Sequence, residues 1–137
     1  MKNRIIFVCV HNAGRSQMAK AFFNNLISAK LNWYAESAGT EPSEKLNPIV
    51  VEVLNELSID ISTEKPRALN FNTLTSTDRL ISMGCNIQQS CPINLRKAIE
   101  DWELEDPHDQ DIQKVREIRD IIKIKVENLI QELSITN

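Results

Sequence analysis

Apolar positions in this chain fall into short continuous runs and longer stepped ones. Arg4–Cys9 is almost entirely apolar and partly β-branched. It is too short for a helix and suits a strand buried on both faces. From Ser16 to Ala29, the residues Met18, Ala19, Phe22, Phe23, Leu26 and Ile27 recur at helical spacing. Trp33–Ser37 predicts a short second strand, followed by the turn-prone Gly39-Thr40-Glu41-Pro42. Asn47-Pro48 reads as a helix cap with proline at the first helical position, opening a helix that runs to Leu57. Arg79–Met83 and Ala98–Trp102 predict a third and a fourth strand. Between Asp109 and Leu133, the positions Val115, Ile118, Ile122, Val126, Leu129 and Leu133 step by three or four. That pattern predicts a long amphipathic helix, with Asp109 and Asp111 near its positive amino end.

Strands separated by helices imply right-handed parallel crossovers, hence an α/β three-layer sandwich on a four-stranded parallel sheet. No repeat, low-complexity tract or linker interrupts the pattern, so residues 1–137 are expected to form a single domain. In such folds ligands sit beyond the carboxyl ends of the strands. The chain has 137 residues, 42% of them apolar, which excludes wholesale disorder. With 16 Lys+Arg against 19 Asp+Glu, the formal charge is −3 and no basic face stands out. A nucleic-acid partner is therefore not expected. The apolar run Ile5–Val10 is far too short to span a bilayer, and residues 1–25 lack a signal-peptide pattern. The expectation is a cytoplasmic protein with no membrane partner.

Three cysteines, Cys9, Cys85 and Cys91, sharpen the picture. An odd count argues against a closed disulfide framework, leaving filler, metal-ligand or reactive-thiol roles. No C-x-x-C pair exists, and His11 and His108 are the only histidines, so no metal site is expected. Cys9 instead opens the loop Cys9-Val10-His11-Asn12-Ala13-Gly14-Arg15-Ser16, which joins the first predicted strand to the first helix. Such a loop turns backbone N–H groups inward beside a helix dipole and forms an anion cradle. Residues Val10, His11, Asn12, Ala13, Gly14, Arg15 and Ser16 are thus the expected oxyanion-binding set. Arg15 adds a planar fork matched to two oxygens. The same positive field favours the thiolate of Cys9. Ser16 is placed to hydrogen-bond the sulfur, Gly14 to allow tight curvature, and Asn12 to adopt a left-handed backbone. The side chain of His11 is expected to face water. Trp33, Trp102 and the four phenylalanines are read as packing residues.

The Cys-x5-Arg-Ser loop resembles that of the low-molecular-weight protein tyrosine phosphatase superfamily. Ser37-Ala38-Gly39-Thr40 after the second strand and Asp106-Pro107 after the fourth extend the resemblance over nearly the whole chain. It implies that Cys9 is the nucleophile and that Asp106 is the general acid, on a loop restricted by proline. Asp106 lies in the acidic run Glu100–Asp106, where Glu105 competes for the role and like charges favour a protonated carboxyl.

Cys85 and Cys91 resemble the additional pair of the thioredoxin-coupled arsenate reductases, at a spacing one residue shorter than in the best-known bacterial members. That resemblance implies a catalytic Cys9, Cys85 and Cys91 relay and an arsenate or phosphate-type oxyanion as substrate. It also implies an external thioredoxin-like dithiol as reductant, with no bound cofactor, and a monomer. The alternative it leaves open is a phosphatase hydrolysing phosphomonoesters through a phosphocysteine. Lys20 stands where related reductases carry an acidic residue associated with potassium. A lysine cannot ligate a cation, so no such ion is expected, and Lys20 reads as an exposed helix residue.

Overall fold

The central strand β1 (Asn3–Cys9) carries the candidate nucleophile at its carboxyl end. After it come α1 (Arg15–Leu26), β2 (Trp33–Gly39), α2 (Pro48–Asn55), α3 (Phe71–Thr75), β3 (Arg79–Ser82), β4 (Ile99–Asp101) and α4 (Ile112–Thr136). The computed structural model describes residues 2–84 and 99–136. All strands pair in parallel in the order β2-β1-β3-β4.

The unbroken apolar run of β1 has a direct cause: both faces of the strand are covered. Ile5, Phe7 and Cys9 join a core with Met18 and Phe22 of α1, Val50 and Leu54 of α2, and Val115 and Ile122 of α4. Ile6 and Val8 face the other way, against Ala38, Leu80 and Leu74 of α3. Phe7 meets Phe23 and Trp102 at ring separations of 6.2 and 5.5 Å, as expected for packing residues. All six stripe positions of α4 are buried.

Boundaries moved where tertiary contacts overrode local pattern. Helix α1 ends at Leu26 because Ile27 turns extended, leaving Leu26 at 40% exposure instead of on the buried stripe. Strand β2 runs two residues further than predicted, since Val8 and Cys9 draw Ala38 and Gly39 into register. The Asn47 cap is as expected, its Oδ1 accepting from the Ile49 amide at 3.0 Å, but α2 stops at Asn55. Asp111, not Asp109, caps α4, accepting from Lys114 N at 2.8 Å. The short helix α3 had no periodic signal; Leu74 supplies its buried contact.

Order and register set the site. The chain leaves β1 towards β2 on one side and returns to β3 on the other, so the strand order reverses at β1. That reversal opens a crevice at the carboxyl ends. Cys9 lies level with Gly39, and Ser82 lies level with Val8, so Met83 and Gly84 continue alongside the loop that follows Cys9.

Candidate active site

The loop after β1 bends back around the sulfur of Cys9. Asn12 adopts the left-handed conformation expected of it, with φ 53°. This bend brings its N–H to Cys9 Sγ at 3.2 Å. Ser16 Oγ lies 2.8 Å from the same sulfur. Two donors are thereby placed for a thiolate, which only accepts.

The side chain of Asn12 does more than its backbone. It is fully buried, donates from Nδ2 to Ser16 Oγ at 2.7 Å, and accepts at Oδ1 from Arg67 N (2.8 Å) and Gln17 Nε2 (3.0 Å). The Ser16 hydroxyl is therefore held from behind with its proton free for sulfur. Sequence reading gave Asn12 only a backbone role; nothing along the chain marks the Arg67 amide, in the segment before α3, as a partner of its side chain.

Arg15 is 5% exposed. Its Nη1 donates to Met83 O at 2.7 Å and to Leu104 O at 3.1 Å, which occupies both protons of that nitrogen. Nη2 lies 3.7 Å from Asp106 Oδ2. Asp106 itself is half exposed, and its Oδ1 accepts the His108 amide at 2.9 Å across Pro107. Glu105 does not compete for this position, because it pairs with Lys114 at 3.0 Å and pushes the lysine pKa up through that hydrogen bond. The acidic run is thus split, with Glu105 turned to α4 and Asp106 turned to the cleft.

Cys9, Arg15 and Asp106 line one cleft of about 620 Å³. Of the expected oxyanion-binding residues, His11, Ala13, Gly14 and Arg15 line it too. Val10, Asn12 and Ser16 do not: Val10 packs on the second core cluster, while Asn12 and Ser16 are buried behind the sulfur. Gly14 serves a purpose beyond the curvature expected of it. At its φ of −142° and ψ of −89°, an added Cβ would lie 2.8 Å from Pro107 Cγ. Glycine lets the Asp106 loop press onto the Cys9 loop. Gly39 acts similarly, since a Cβ there would lie 2.7 Å from Val10 O and 2.9 Å from Asn12 N.

His11 is half-buried, not a purely solvent-facing side chain. Its Nδ1 donates to Glu41 O at 3.0 Å, and its ring lies 6.4 Å from that of His108 at the cleft. The opposite wall comes from Lys45, Leu46, Pro48 and Ile49, around the start of α2. Sequence reading recognised Asn47-Pro48 only as a helix start.

Lys20 is likewise not an exposed lysine. Its side chain is 17% exposed and its Nζ lies 2.8 Å from Glu64 Oε1. The ammonium occupies the carboxylate that a cation would otherwise attract. Turnover is expected to be the same in potassium and sodium chloride at matched ionic strength; specific activation by potassium in steady-state assays would contradict this. Cys85 and Cys91 lie outside the described residues. Among the described residues no group of three or more His, Cys, Asp or Glu side chains is placed to hold a metal ion, and no helix is long and apolar enough to cross a membrane.

The chain is similar to known proteins over nearly its full length. It is 35% identical over 133 residues to the glutaredoxin arsenate reductase of Synechocystis, covering 96% of this chain and 98% of that one. The arsenate reductase of Staphylococcus xylosus is 32% identical over 130 residues, covering 93% and 95%. The low molecular weight protein tyrosine phosphatase of T. tengcongensis superposes with a TM-score of 0.85 at 26% identity, covering 96% of this chain and 99% of that one. Residues 4–136 match the family described as low molecular weight phosphotyrosine protein phosphatase. The three-layer architecture, the Cys-x5-Arg-Ser loop and this match over almost the full length agree, and the chain belongs to that family.

Proposed function

We propose that this protein is an arsenate reductase, acting as a single domain over residues 1–137. The observation that carries the reading is the convergence of Cys9 Sγ, the buried Arg15 guanidinium and the Asp106 carboxyl on one cleft. The curated relatives bearing that name support it. Arsenate enters as an oxyanion held by the Cys9 loop and by the guanidinium, whose Nη1 is anchored and whose Nη2 faces the cleft. The Cys9 thiolate attacks arsenic, an As–S bond forms, and an arsenic–oxygen bond breaks as Asp106 passes its proton to the departing oxygen, which leaves as water.

Phosphate ester hydrolysis consumes no electrons, whereas reducing arsenate to arsenite consumes two. Cys85 and Cys91 supply them. The Cys85 thiolate attacks Cys9 Sγ and forms a disulfide, and the As–S bonding pair leaves with arsenic as arsenite. Cys91 then attacks the Cys85 sulfur, which releases Cys9 as thiolate and leaves a Cys85–Cys91 disulfide. An external dithiol of the thioredoxin or glutaredoxin kind reduces that bond by exchange. No bound cofactor is required, and the proposal includes a monomer acting in the cytoplasm.

One observation favours a second reading. The cleft volume of about 620 Å³ far exceeds a tetrahedral oxyanion and has an apolar wall of Leu46, Pro48 and Ile49. This room suits the organic part of a phosphomonoester. The two readings separate in a single set of assays on the unsubstituted protein, Cys85→Ser and Cys91→Ser. The expected result is that both variants lose multiple-turnover arsenite formation with a thioredoxin system and retain any phenyl phosphate hydrolysis. Reduction indifferent to both substitutions would defeat the relay, and hydrolysis without reduction would establish the phosphatase.

A further inference from the structure

The end of β3 and the start of the Asp106 loop are stitched together from two sides. On one side Arg15 Nη1 takes the carbonyls of Met83 and Leu104. On the other, a single oxygen of Asp101, Oδ1, accepts from Ser82 Oγ at 2.9 Å, Gly84 N at 2.9 Å and Glu103 N at 3.2 Å. The donors thus alternate with the carbonyls along each backbone. Ser82 and Gly84 turn to Asp101 while Met83 turns to Arg15; Glu103 turns to Asp101 while Leu104 turns to Arg15. The two backbones touch, since a Cβ on Gly84 (φ 94°) would lie 2.4 Å from Leu104 O.

We propose that Asp101 is a positioning residue for the oxyanion site, acting through Arg15. The proposal rests on the reading of the Cys9–Arg15 cleft as that site. An exposed carboxylate closing an edge strand ordinarily contributes little. Here one anionic oxygen gathers three donors from two segments, and hydrogen bonds to a charged acceptor are the strong ones. With Gly84 and Glu103 held by their amides, the carbonyls of Met83 and Leu104 are presented side by side at Nη1. That anchor fixes the guanidinium plane, so the rest of the fork faces the cleft without searching for its orientation. Removing the Asp101 oxygen frees both amides and lets the two carbonyls separate. The anion then has to organise Arg15 as it binds, which lowers affinity.

The test uses inorganic phosphate as the probe and the rate of Cys9 alkylation by iodoacetamide as the readout. To isolate Cys9, the measurement is made in a Cys85→Ser/Cys91→Ser background. Asp101→Ala is expected to raise the phosphate concentration giving half-protection about tenfold, as loss of charge-assisted hydrogen bonds implies. Alkylation without phosphate is expected to change far less than half-protection, because the donors to the sulfur, Asn12 N and Ser16 Oγ, do not depend on Asp101. Asp101→Asn keeps an acceptor oxygen but gives up its charge, and is expected to show a clearly smaller loss than Asp101→Ala. Ser82→Ala removes one donor of the three and gives a smaller loss, which decides the matter should Asp101→Ala fail to fold. Unchanged half-protection in the alanine variants, an equal loss in Asp101→Asn, or a parallel change in unprotected alkylation would overturn the role of Asp101 and leave the oxyanion site standing. Absence of phosphate protection in the parent would remove the oxyanion site, and this role with it.

Discussion

Cys9→Ser is expected to abolish arsenite formation and to reduce any phosphomonoester hydrolysis by about 10⁴-fold or more, the scale seen when a nucleophile acting in a concerted set is removed. The substitution is close to isosteric, so the fold is expected to survive; the sulfur sits where Asn12 N and Ser16 Oγ meet, 3.2 and 2.8 Å away. Those donors are placed for a thiolate, an anion that a thiol forms far more easily than a serine hydroxyl does. Oxygen also cannot take the place of sulfur in a disulfide, so the relay has nowhere to begin. The variant should show an unchanged far-ultraviolet circular dichroism spectrum and no arsenite above background. Substantial arsenite formation by Cys9→Ser would move the nucleophile elsewhere.

Substitution at Arg15 is expected to have the next largest effect. Arg15→Ala and Arg15→Lys should both lower kcat/KM for arsenate, by about 10²–10³-fold for loss of a preorganised oxyanion donor. Lysine fails for a geometric reason. Nη1 spends its two protons on Met83 O and Leu104 O, so the fork anchors itself at one nitrogen and addresses the anion with the others. An ammonium is a single point of charge and cannot divide its tasks this way. Stability should fall as well, by about 1–3 kcal/mol, because two backbone carbonyls lose their partner in a buried place. Urea unfolding at constant m-value measures the second effect and steady-state kinetics the first. A lysine variant within a few-fold of the parent in kcat/KM would show that charge alone is required.

Both predictions concern residues that the sequence already singles out, and their legibility has a common cause. A strand running straight into Cys9-x5-Arg15-Ser16 and then into a helix is a local arrangement, encoded within a few turns of chain. The same is true of the Asn47-Pro48 cap and of the α4 stripe, whose period directly reflects which side of a helix meets the core. The alternation of strands and helices is enough to imply a parallel sheet with chemistry at its carboxyl ends.

What tertiary structure alone decided are the partnerships across distance. Arg15 is buried by carbonyls 68 and 89 residues away, Lys20 is neutralised by a glutamate 44 residues on, and Asn12 is fixed by an amide 55 residues on. Gly14 faces a proline ring from another loop that leaves no room for a Cβ. Glu105 and Asp106 are neighbours in sequence, yet one turns to Lys114 and the other to Arg15. A hydrogen bond from a side chain to a distant backbone group leaves neither a period nor a compositional trace along the chain. Hydrophobic patterning specifies which faces must meet, and only their meeting specifies which polar atoms find one another.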